Sequence, residues 1–277
     1  MRRFLRRFRQ ALWGVYNDGC LGYAKGAAYS ALLSFFPLLT TVTTALVLAN
    51  AESVSRHLAD FLFEVVPPGA DLALERYFMR QGAKPVTLPV IASLLSLWAA
   101  SGVMISLMEG FQAAYKTRDT RGVVHKRILA VILIFVAVGP VVAASSVMLF
   151  GARTEAHIVS ALGFSGEGDV VSLGVRMLAR VIRYSVALGA TVLVTAVLYY
   201  LAPTPRRRWR CVWPGAWLAT TLWLLVTLGF AWYERNLVNY NLLYGSIGTA
   251  IALLVWMYLL AVIALLGCEY NAAVERR

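Results

Sequence analysis

Six long apolar blocks without a charged side chain limit what this chain can fold into. Each block is 19 to 24 residues long, and roughly 20 residues of helix cross a hydrocarbon core about 30 Å thick. Backbone N–H and C=O groups find no partner in lipid, so spans of this length must be helices. The sequence therefore predicts an all-α polytopic bundle of six transmembrane helices, at residues 27–50, 86–108, 128–150, 184–202, 212–233 and 247–267.

The composition supports a membrane protein over a soluble enzyme. Hydrophobic residues make up 60% of the chain and charged residues 14%, against about 45–50% and about 25% in soluble domains. An N-terminal signal peptide is the alternative interpretation of the first block. Its 24 residues exceed the roughly 7–15 of a signal h-region, so we expect it to be a retained span.

The distribution of basic residues predicts the topology. Of the 26 Lys and Arg residues, 17 lie in the N-terminal segment, in 116–127, in 203–211 and after the last span, 8 lie in the alternate connections, and Arg183 lies at a span boundary. Basic loops are retained in the cytoplasm, so both termini are predicted to be cytoplasmic. Topology thus accounts for the net charge of +12, and we expect no nucleic acid partner.

The N-terminal segment, residues 1–25, is predicted to be an amphipathic interfacial helix. Phe4, Phe8, Leu12 and Tyr16 recur every four residues among arginines. Such a helix lies in the membrane interface with its apolar face in lipid and its basic face toward headgroups. Its expected partner is therefore the anionic lipid of the inner leaflet.

Residues 26–277 form the predicted six-span membrane domain, which carries two longer external connections. In 51–86, a helical pattern is broken by two prolines and a glycine, which predicts a hairpin of short amphipathic helices over the external mouth. In 151–183, a glycine-rich turn precedes a helical pattern that runs directly into the fourth span. That helix is expected to project beyond the bilayer.

Small residues spaced by four form a ridge on the first predicted span: Gly22, Gly26, Ser30 and Ser34. Close packing against another helix is one interpretation of such a ridge. The other is a polar pathway along this face. Ser34 lies one turn before Pro37, and a proline kink frees backbone carbonyls for ligands.

Three arginines share one face of the extended fourth helix and approach the membrane from outside: Arg176, Arg180 and Arg183. Guanidinium groups match phosphate geometry, so this stripe could hold lipid phosphates or an anionic solute. The competing interpretation is snorkelling combined with pairing to loop acids such as Glu167 or Asp169.

Glu109 and Glu269 are the acids within or against the predicted spans, each near a cytoplasmic end. A carboxylate costs about 2.5–3.5 kcal/mol at the bilayer centre and less near the interface, so both should face the bundle or headgroups. They are candidates for a coupling-ion or gating role. Structural pairing with Lys116, Arg127 or Arg276 is the alternative.

Tyr244 and Gly245 lie in a charge-free stretch, 236–268, that is longer than one span needs. We interpret it as a short turn dipping into the external interface, beside an aromatic belt. Enzyme signals are weak elsewhere, because the three histidines are isolated and the three cysteines lack metal or redox spacing. We therefore predict no catalytic residue, no metal and no cofactor.

Several blocks together resemble the YihY/BrkB family of bacterial inner-membrane proteins. They are Gly26 to Leu39, Pro203 to Ala216, Tyr244 to Gly248, Trp256-Met257-Tyr258 and Gly267-Cys268-Glu269-Tyr270-Asn271. The resemblance implies a multi-pass protein of the bacterial inner membrane with six spans, in a family where some members are linked to serum resistance or envelope lipid handling. The family also carries an old ribonuclease label.

The leading functional hypothesis is transport or handling of a lipid or a small anionic solute. A non-transporting scaffold for an envelope complex, acting through the external hairpin and the basic face, is the alternative. A membrane-associated ribonuclease is disfavoured because the candidate cytoplasmic acids are scattered; they are Asp18, Glu109, Asp119, Glu269 and Glu275. The sequence leaves a homo-oligomer open.

Overall fold

The computed structural model describes residues 2–48, 87–140, 170–205, 207–237 and 245–276. Within these residues it contains seven helices and no strand, which confirms the all-α class. The helices are α1 (Arg2–Asn17), α2 (Cys20–Leu48), α3 (Thr87–Tyr115), α4 (Val123–Pro140), α5 (Val170–Leu201), α6 (Trp209–Leu237) and α7 (Gly245–Glu275).

Five of these helices are long and apolar enough to cross a membrane. Many of their large apolar side chains point away from the protein, as Trp98, Phe135 and Leu228 do at 66%, 64% and 67% exposure. Lipid is the solvent that suits such a surface. The first predicted span falls in α2, and the count of six spans remains a prediction. The five segments are Val90–Tyr115, Val123–Pro140, Arg180–Leu201, Trp209–Tyr233 and Ala250–Glu275.

The helix α1 is separated from α2 by a tight turn within the segment 1–25. Gly19 takes the left-handed conformation, φ +71°, which glycine adopts without steric cost. The backbone can therefore reverse directly after Asp18. Ala11 and Val15 of α1 are buried, and the helix packs mainly against α7.

The C-terminal helix α7 is the centre of the described bundle. It packs against α1, α2, α3 and α6. Every residue from Leu265 to Ala272 is buried, so this stretch is enclosed on all sides. In the most apolar stretch of α7, 33% of the residues are buried, whereas the same share is 11% in α3 and in α4.

The four basic segments of the sequence meet at one end of the bundle. The Arg121 guanidinium donates to the carbonyl of Ala202 at 3.0 Å, and the Arg276 guanidinium donates to the carbonyl of Ala114. We call this the basic end, formed by α1, the α3–α4 and α5–α6 connections and the end of α7. The charge count placed the same segments on one side of the membrane, and the side they face remains a prediction.

Candidate functional site

Two fully buried polar side chains lie close together at the basic end of α7. Glu269 is 1% exposed and Asn271 is 0% exposed. Residues two positions apart on a helix are separated by about 200° of rotation, so these two side chains point in nearly opposite directions. Asn271 faces α6, whereas Glu269 faces α1 and the start of α2.

The Asn271 amide joins α7 to the second turn of α6. Its Oδ1 accepts from the backbone N–H of Gly215 at 2.6 Å, and its Nδ2 donates to the carbonyl of Val212 at 3.0 Å. Pro214 lies between these two positions. It lies inside α6, which begins at Trp209. A proline inside a helix disturbs the backbone hydrogen bonds, and the Asn271 amide bonds on either side of it.

Glycines allow α6 and α7 to approach until their backbones touch. A Cβ on Gly215 would lie 2.1 Å from the carbonyl oxygen of Gly267, and a Cβ on Gly267 would lie 2.4 Å from the hydroxyl oxygen of Tyr199. That hydroxyl donates to the carbonyl of Ala264 at 2.6 Å. Small residues serve close helix contact in this way in membrane proteins. This face of α7 is a packed structural joint.

On the opposite side, Glu269 lies beneath α1. A Cβ on Gly14 would lie 2.6 Å from Oε2 of Glu269, so α1 crosses the carboxylate only because that residue is a glycine. The Cys20 thiol donates to Oε1 at 3.7 Å. The Asp18 carboxyl lies within hydrogen-bonding reach of Glu269, and the Arg276 charge acts on it as well, although within the described residues Glu269 makes no ion pair within 4 Å.

The Cys20 thiol remains protonated beside this carboxylate. Burial raises the pKa of Cys20 to about 12, and the negative charges of Glu269 and Asp18 act in the same direction. Reactive cysteines need a lowered pKa and exposure, whereas Cys20 is fully buried. Its role here is a weak hydrogen-bond donor to Glu269.

Asp18 follows α1 and binds two cations from other segments. The Lys116 Nζ lies 3.5 Å from Oδ1, and an Arg276 guanidinium nitrogen lies 3.9 Å from Oδ2. These ion pairs connect the α1–α2 turn to the end of α3 and to the C-terminal segment. The Asp18 charge is thereby compensated, and the two cations lie close enough to Glu269 for Arg276 to act on it as well.

Lys116 is held in a backbone conformation that usually belongs to glycine. Its φ is +56°, and the amides of Lys116 and Thr117 bond to the carbonyls of Ala113 and Gln112 at 2.9 and 3.0 Å. This is a Schellman cap, in which glycine is the usual residue. A side chain costs roughly 1 kcal/mol in this conformation. The ammonium group of Lys116 lies at the cavity described next.

A cavity of about 670 Å³ opens where α1 rests on α7. It is lined by three cations, two carboxylates and apolar side chains of α1. Apart from Glu269, the charged lining residues come from segments that the topology prediction placed together. The residues that give the cavity its chemistry are Arg9, Leu12, Trp13, Asp18, Lys116, Glu269 and Arg276.

A second ion-paired cluster lies beside the cavity, in the α3–α4 connection. The Lys126 Nζ is 3.1 Å from Asp119 and 3.9 Å from Glu109. Burial raises the pKa of Asp119, but hydrogen bonds from Gln112, the Arg121 amide and Lys126 outweigh it and hold that pKa below its usual value. Glu109 is 42% exposed, and its partner is one that the sequence analysis did not name.

The small-residue ridge of α2 packs against α3. A Cβ on Gly102 would lie 2.8 Å from the Ser30 hydroxyl oxygen, so these positions are in direct contact. The Ser34 hydroxyl donates to the carbonyl of Ala31, within its own helix, at 2.8 Å. Pro37 lies inside α2. These contacts are those of a packing surface, and the polar pathway remains a prediction.

The other predicted site residues lie away from the cavity. Arg180 is exposed and Arg183 is half-buried on α5, and the side chain of Arg176 lies outside the described residues. Gly245 is the first residue of α7, and Tyr244 lies outside the described residues. The segments 51–86 and 151–169, predicted to be external, also lie outside them.

Sequence reasoning identified Glu269 but not its surroundings in α1. The sequence predicted no site role for Arg9, Gly14 or Asp18. Arg9 was part of the basic helix, and Asp18 was one of the scattered acids. The Asp18-Gly19 pair is a turn signal, and it could have shown that α1 ends there and folds back. Within the part of the chain that the structure describes, no group of three or more His, Cys, Asp or Glu could hold a metal ion.

Comparison with known proteins assigns the family. The family model described as virulence factor BrkB matches residues 12–277. The chain belongs to the BrkB family. The matched region includes α2 to α7 and the whole Gly267 to Asn271 segment, so the resemblance noted in the sequence is confirmed.

Relatives of this BrkB chain cover most of its length. Ribonuclease-like protein YfkH of Bacillus subtilis is 30% identical over 263 residues, which is 92% of this chain and 91% of that protein. A UPF0761 membrane protein of Alteromonas mediterranea is 26% identical, covering 95% and 87%. One of Chlorobium phaeobacteroides is 26% identical over 96% of this chain, which spans only 60% of that relative. No solved structure matches this chain.

The family and the five apolar helices together define where the protein resides. Relatives named as membrane proteins align with nearly all of the chain, and the helices of this BrkB protein expose the apolar surface that lipid requires. It is a multi-pass bacterial membrane protein.

Proposed function

We propose that this protein transports or handles a lipid or a small anionic solute, which it binds in the cavity at the basic end. One observation carries the proposal. A cavity of about 670 Å³ with three cations in its lining lies where an amphipathic helix rests on the bundle of a membrane protein. Ligand pockets typically measure about 300–1,000 Å³, so a phospholipid headgroup or a small anion would fit.

The cations have the chemistry to bind a phosphate. Arg9 and Arg276 present guanidinium forks, which match phosphate oxygens in geometry, and Lys116 adds a compact charge. Arg9 makes no hydrogen bond or ion pair with the described residues, so its donors remain available to a ligand. An anion in this cavity could therefore bind the Arg9 donors without displacing another partner of Arg9.

The same cavity has an apolar side that suits a lipid. Leu12 and Trp13 line it and remain 48% and 67% exposed. An interfacial helix buries such side chains among acyl chains. A ligand with a charged head and an apolar tail would contact both the basic and the apolar lining, whereas a small solute would use the charged part alone.

The scaffold alternative rests on the external hairpin, which lies outside the described residues. Transport is tested by reconstituting the protein in liposomes that contain a fluorescent phospholipid and measuring its movement between leaflets with a membrane-impermeant quencher. Native mass spectrometry of gently extracted protein measures bound lipid in parallel. We expect both lipid movement and retained lipid in the wild-type protein.

The double variant Arg9→Gln/Lys116→Gln should lower bound lipid at least tenfold, because a charge-assisted hydrogen bond contributes about 1.5–3 kcal/mol. Arg118→Gln is the matched control, since Arg118 is exposed in the α3–α4 connection and does not line the cavity. Equal lipid binding by the double variant and the control would contradict the assignment of this cavity.

A further inference from the structure

We propose that Arg127 and Trp98 form a binding site for the phosphate of an inner-leaflet phospholipid, on the outer surface of the bundle. The site lies where the start of α4 contacts α3. Neither residue lines the cavity at the basic end, so this site goes beyond the proposed function and does not depend on it.

The Arg127 guanidinium lies over the Trp98 ring, with Cζ 3.6 Å from the ring centroid. An aromatic face attracts a guanidinium group and positions it, and the N–H donors stay accessible because they lie in the plane of that group. Within the described residues, the Arg127 side chain makes no hydrogen bond and no ion pair. All of its donors are therefore available, in the fork geometry that matches phosphate oxygens.

The nearby carboxylates are already paired with the preceding residue. The Lys126 Nζ lies 3.1 Å from Asp119 and 3.9 Å from Glu109. Arg127 turns away from them, since Trp98 lies about three turns before Glu109 on α3, roughly 16 Å along the helix axis. An arginine that only snorkelled would direct its charge toward the basic end. Arg127 instead lies against an apolar span, and it has no carboxylate partner among the described residues.

The surface around this pair faces lipid. Trp98 is 66% exposed, and a charge at such an apolar surface is unfavourable without a counter-ion. The phosphate of a phospholipid supplies the counter-ion, and the neighbouring apolar side chains contact its acyl chains. The topology prediction places the start of α4 on the cytoplasmic side, so the lipid belongs to the inner leaflet. The apolar side chains that are more than half exposed are Ile91, Leu94 and Leu95 on α3 and Ile128, Ile132 and Phe135 on α4.

The site is tested in the Arg9→Gln/Lys116→Gln background, in which the proposed cavity site is disabled. The delipidated protein in mild detergent is titrated with each of three probes. The rise in its unfolding temperature is recorded, because a ligand that binds the folded state stabilises it. The probes are phosphatidylglycerol, diacylglycerol with the same acyl chains but no phosphate, and inorganic phosphate, which has no acyl chains.

We expect phosphatidylglycerol to raise the unfolding temperature and the other two probes to raise it little. Adding Arg127→Gln should increase the phosphatidylglycerol concentration that gives half of the rise by about tenfold or more, because charge-assisted hydrogen bonds are lost. Trp98→Leu should increase it by a smaller factor, since the charge remains but the ring that positions the guanidinium is lost. Arg118→Gln is the matched control, as Arg118 is an exposed arginine of the α3–α4 connection.

Each rise is measured against the same variant without a probe, so a change in the stability of the variant itself does not affect it. Equal responses to phosphatidylglycerol and diacylglycerol, or an unchanged half-rise concentration in Arg127→Gln, would overturn the inference. A response to inorganic phosphate as large as that to phosphatidylglycerol would overturn the assignment to a lipid. These results would leave the proposed function intact, because the cavity is tested by lipid retention in protein that keeps Arg127. Conversely, equal lipid retention by the Arg9→Gln/Lys116→Gln variant and its Arg118→Gln control would contradict the cavity assignment but not the Arg127 site.

Discussion

The two faces of α7 at the basic end differ in how their buried polar side chains are satisfied. On the α6 side, the Asn271 amide makes two short hydrogen bonds between backbones that glycines bring into contact. On the α1 side, Glu269 has a thiol at 3.7 Å, no ion pair within the described residues, and a cavity beside it. Asn271 and Glu269 belong to the same short segment, but their polar groups are satisfied in different ways.

The difference separates a side chain that joins two helices from one that lines a cavity. Buried polar groups in native proteins are almost always hydrogen-bonded. Asn271 follows this rule, so stability is a sufficient reason for it. Glu269, in contrast, lies against the Asp18 carboxyl, and adjacent carboxyls repel each other when both are ionised, so stability alone does not account for it.

The largest expected effect is that of Gly215→Ala on the α6 side. The new Cβ would lie 2.1 Å from the Gly267 carbonyl oxygen, so the two helices must separate. We expect a loss of about 3 kcal/mol or more in the free energy of unfolding, as for a strongly overpacked site. Thermal unfolding in mild detergent measures it. Gly229→Ala in the same helix has open space, and an equal loss there would contradict this account of the joint.

Asn271→Ala should have the next largest effect. It removes the partners of the Gly215 amide and the Val212 carbonyl, and each buried unsatisfied group costs about 1–3 kcal/mol. We expect a loss of about 2 kcal/mol or more, measured by the same thermal unfolding. Asn17→Ala is the control, because Asn17 is exposed at the end of α1. Similar stability of the two variants would contradict the structural role of Asn271 on the α6 side of α7.

Tyr199→Phe should have a smaller effect on the same joint. It removes the hydrogen bond to the Ala264 carbonyl at 2.6 Å and keeps the ring, which packs edge-on against Phe111. Side-chain hydrogen bonds between membrane helices average about 0.6 kcal/mol, and we expect a destabilisation of that size. Tyr200→Phe should be neutral, because no hydrogen bond of its hydroxyl occurs among the described residues. The shift in unfolding temperature distinguishes the two variants.

The helices could be predicted from the sequence because length and lack of charge are local properties. The predicted span 184–202 corresponds to Arg180–Leu201 in the structure, and 212–233 to Trp209–Tyr233. The ends of α3 and α7 differ more: these helices were predicted to leave the membrane after Met108 and Gly267 but are helical as far as Tyr115 and Glu275. A helix can continue past the membrane, and charged residues such as Glu109 are then no obstacle to it.

The site could be predicted only in part, since its contacts join distant parts of the chain. Glu269 was identified because acids near spans are rare. Its contact with Cys20 is 249 residues away in sequence, and no periodicity indicates it. Lys116 occupies a left-handed position where the sequence pattern would favour glycine. The roles of Gly215 and Gly267 become visible only where α6 and α7 cross.

The smallest expected change in stability is that of Glu269→Gln, and it gives the sharpest contrast with Asn271→Ala. Replacing this buried carboxylate, which lies against the Asp18 carboxyl, with a neutral amide of the same shape should leave the unfolding temperature unchanged or raise it. The variant must nevertheless alter Cys20. Burial raises the pKa of this thiol to about 12, and the Glu269 charge contributes to the rise, so removing the charge should lower that pKa.

The ¹³Cβ chemical shift of labelled cysteine measures this change in a pH titration, because it follows ionisation of the thiol in the folded protein. Alkylation would not, since Cys20 is fully buried and reacts only when the structure opens. Because the folded pKa lies above the unfolded one, folding favours the thiol. That contribution to stability is complete below about pH 9 and is lost as the pH rises toward 12. Glu269→Gln should move the ionisation of Cys20 to lower pH, whereas Glu109→Gln, at a carboxylate paired with Lys126, should leave it unchanged. An unchanged titration in Glu269→Gln would mean that the Glu269 charge does not act on Cys20, and the contrast between the two faces of α7 would then lose its electrostatic basis.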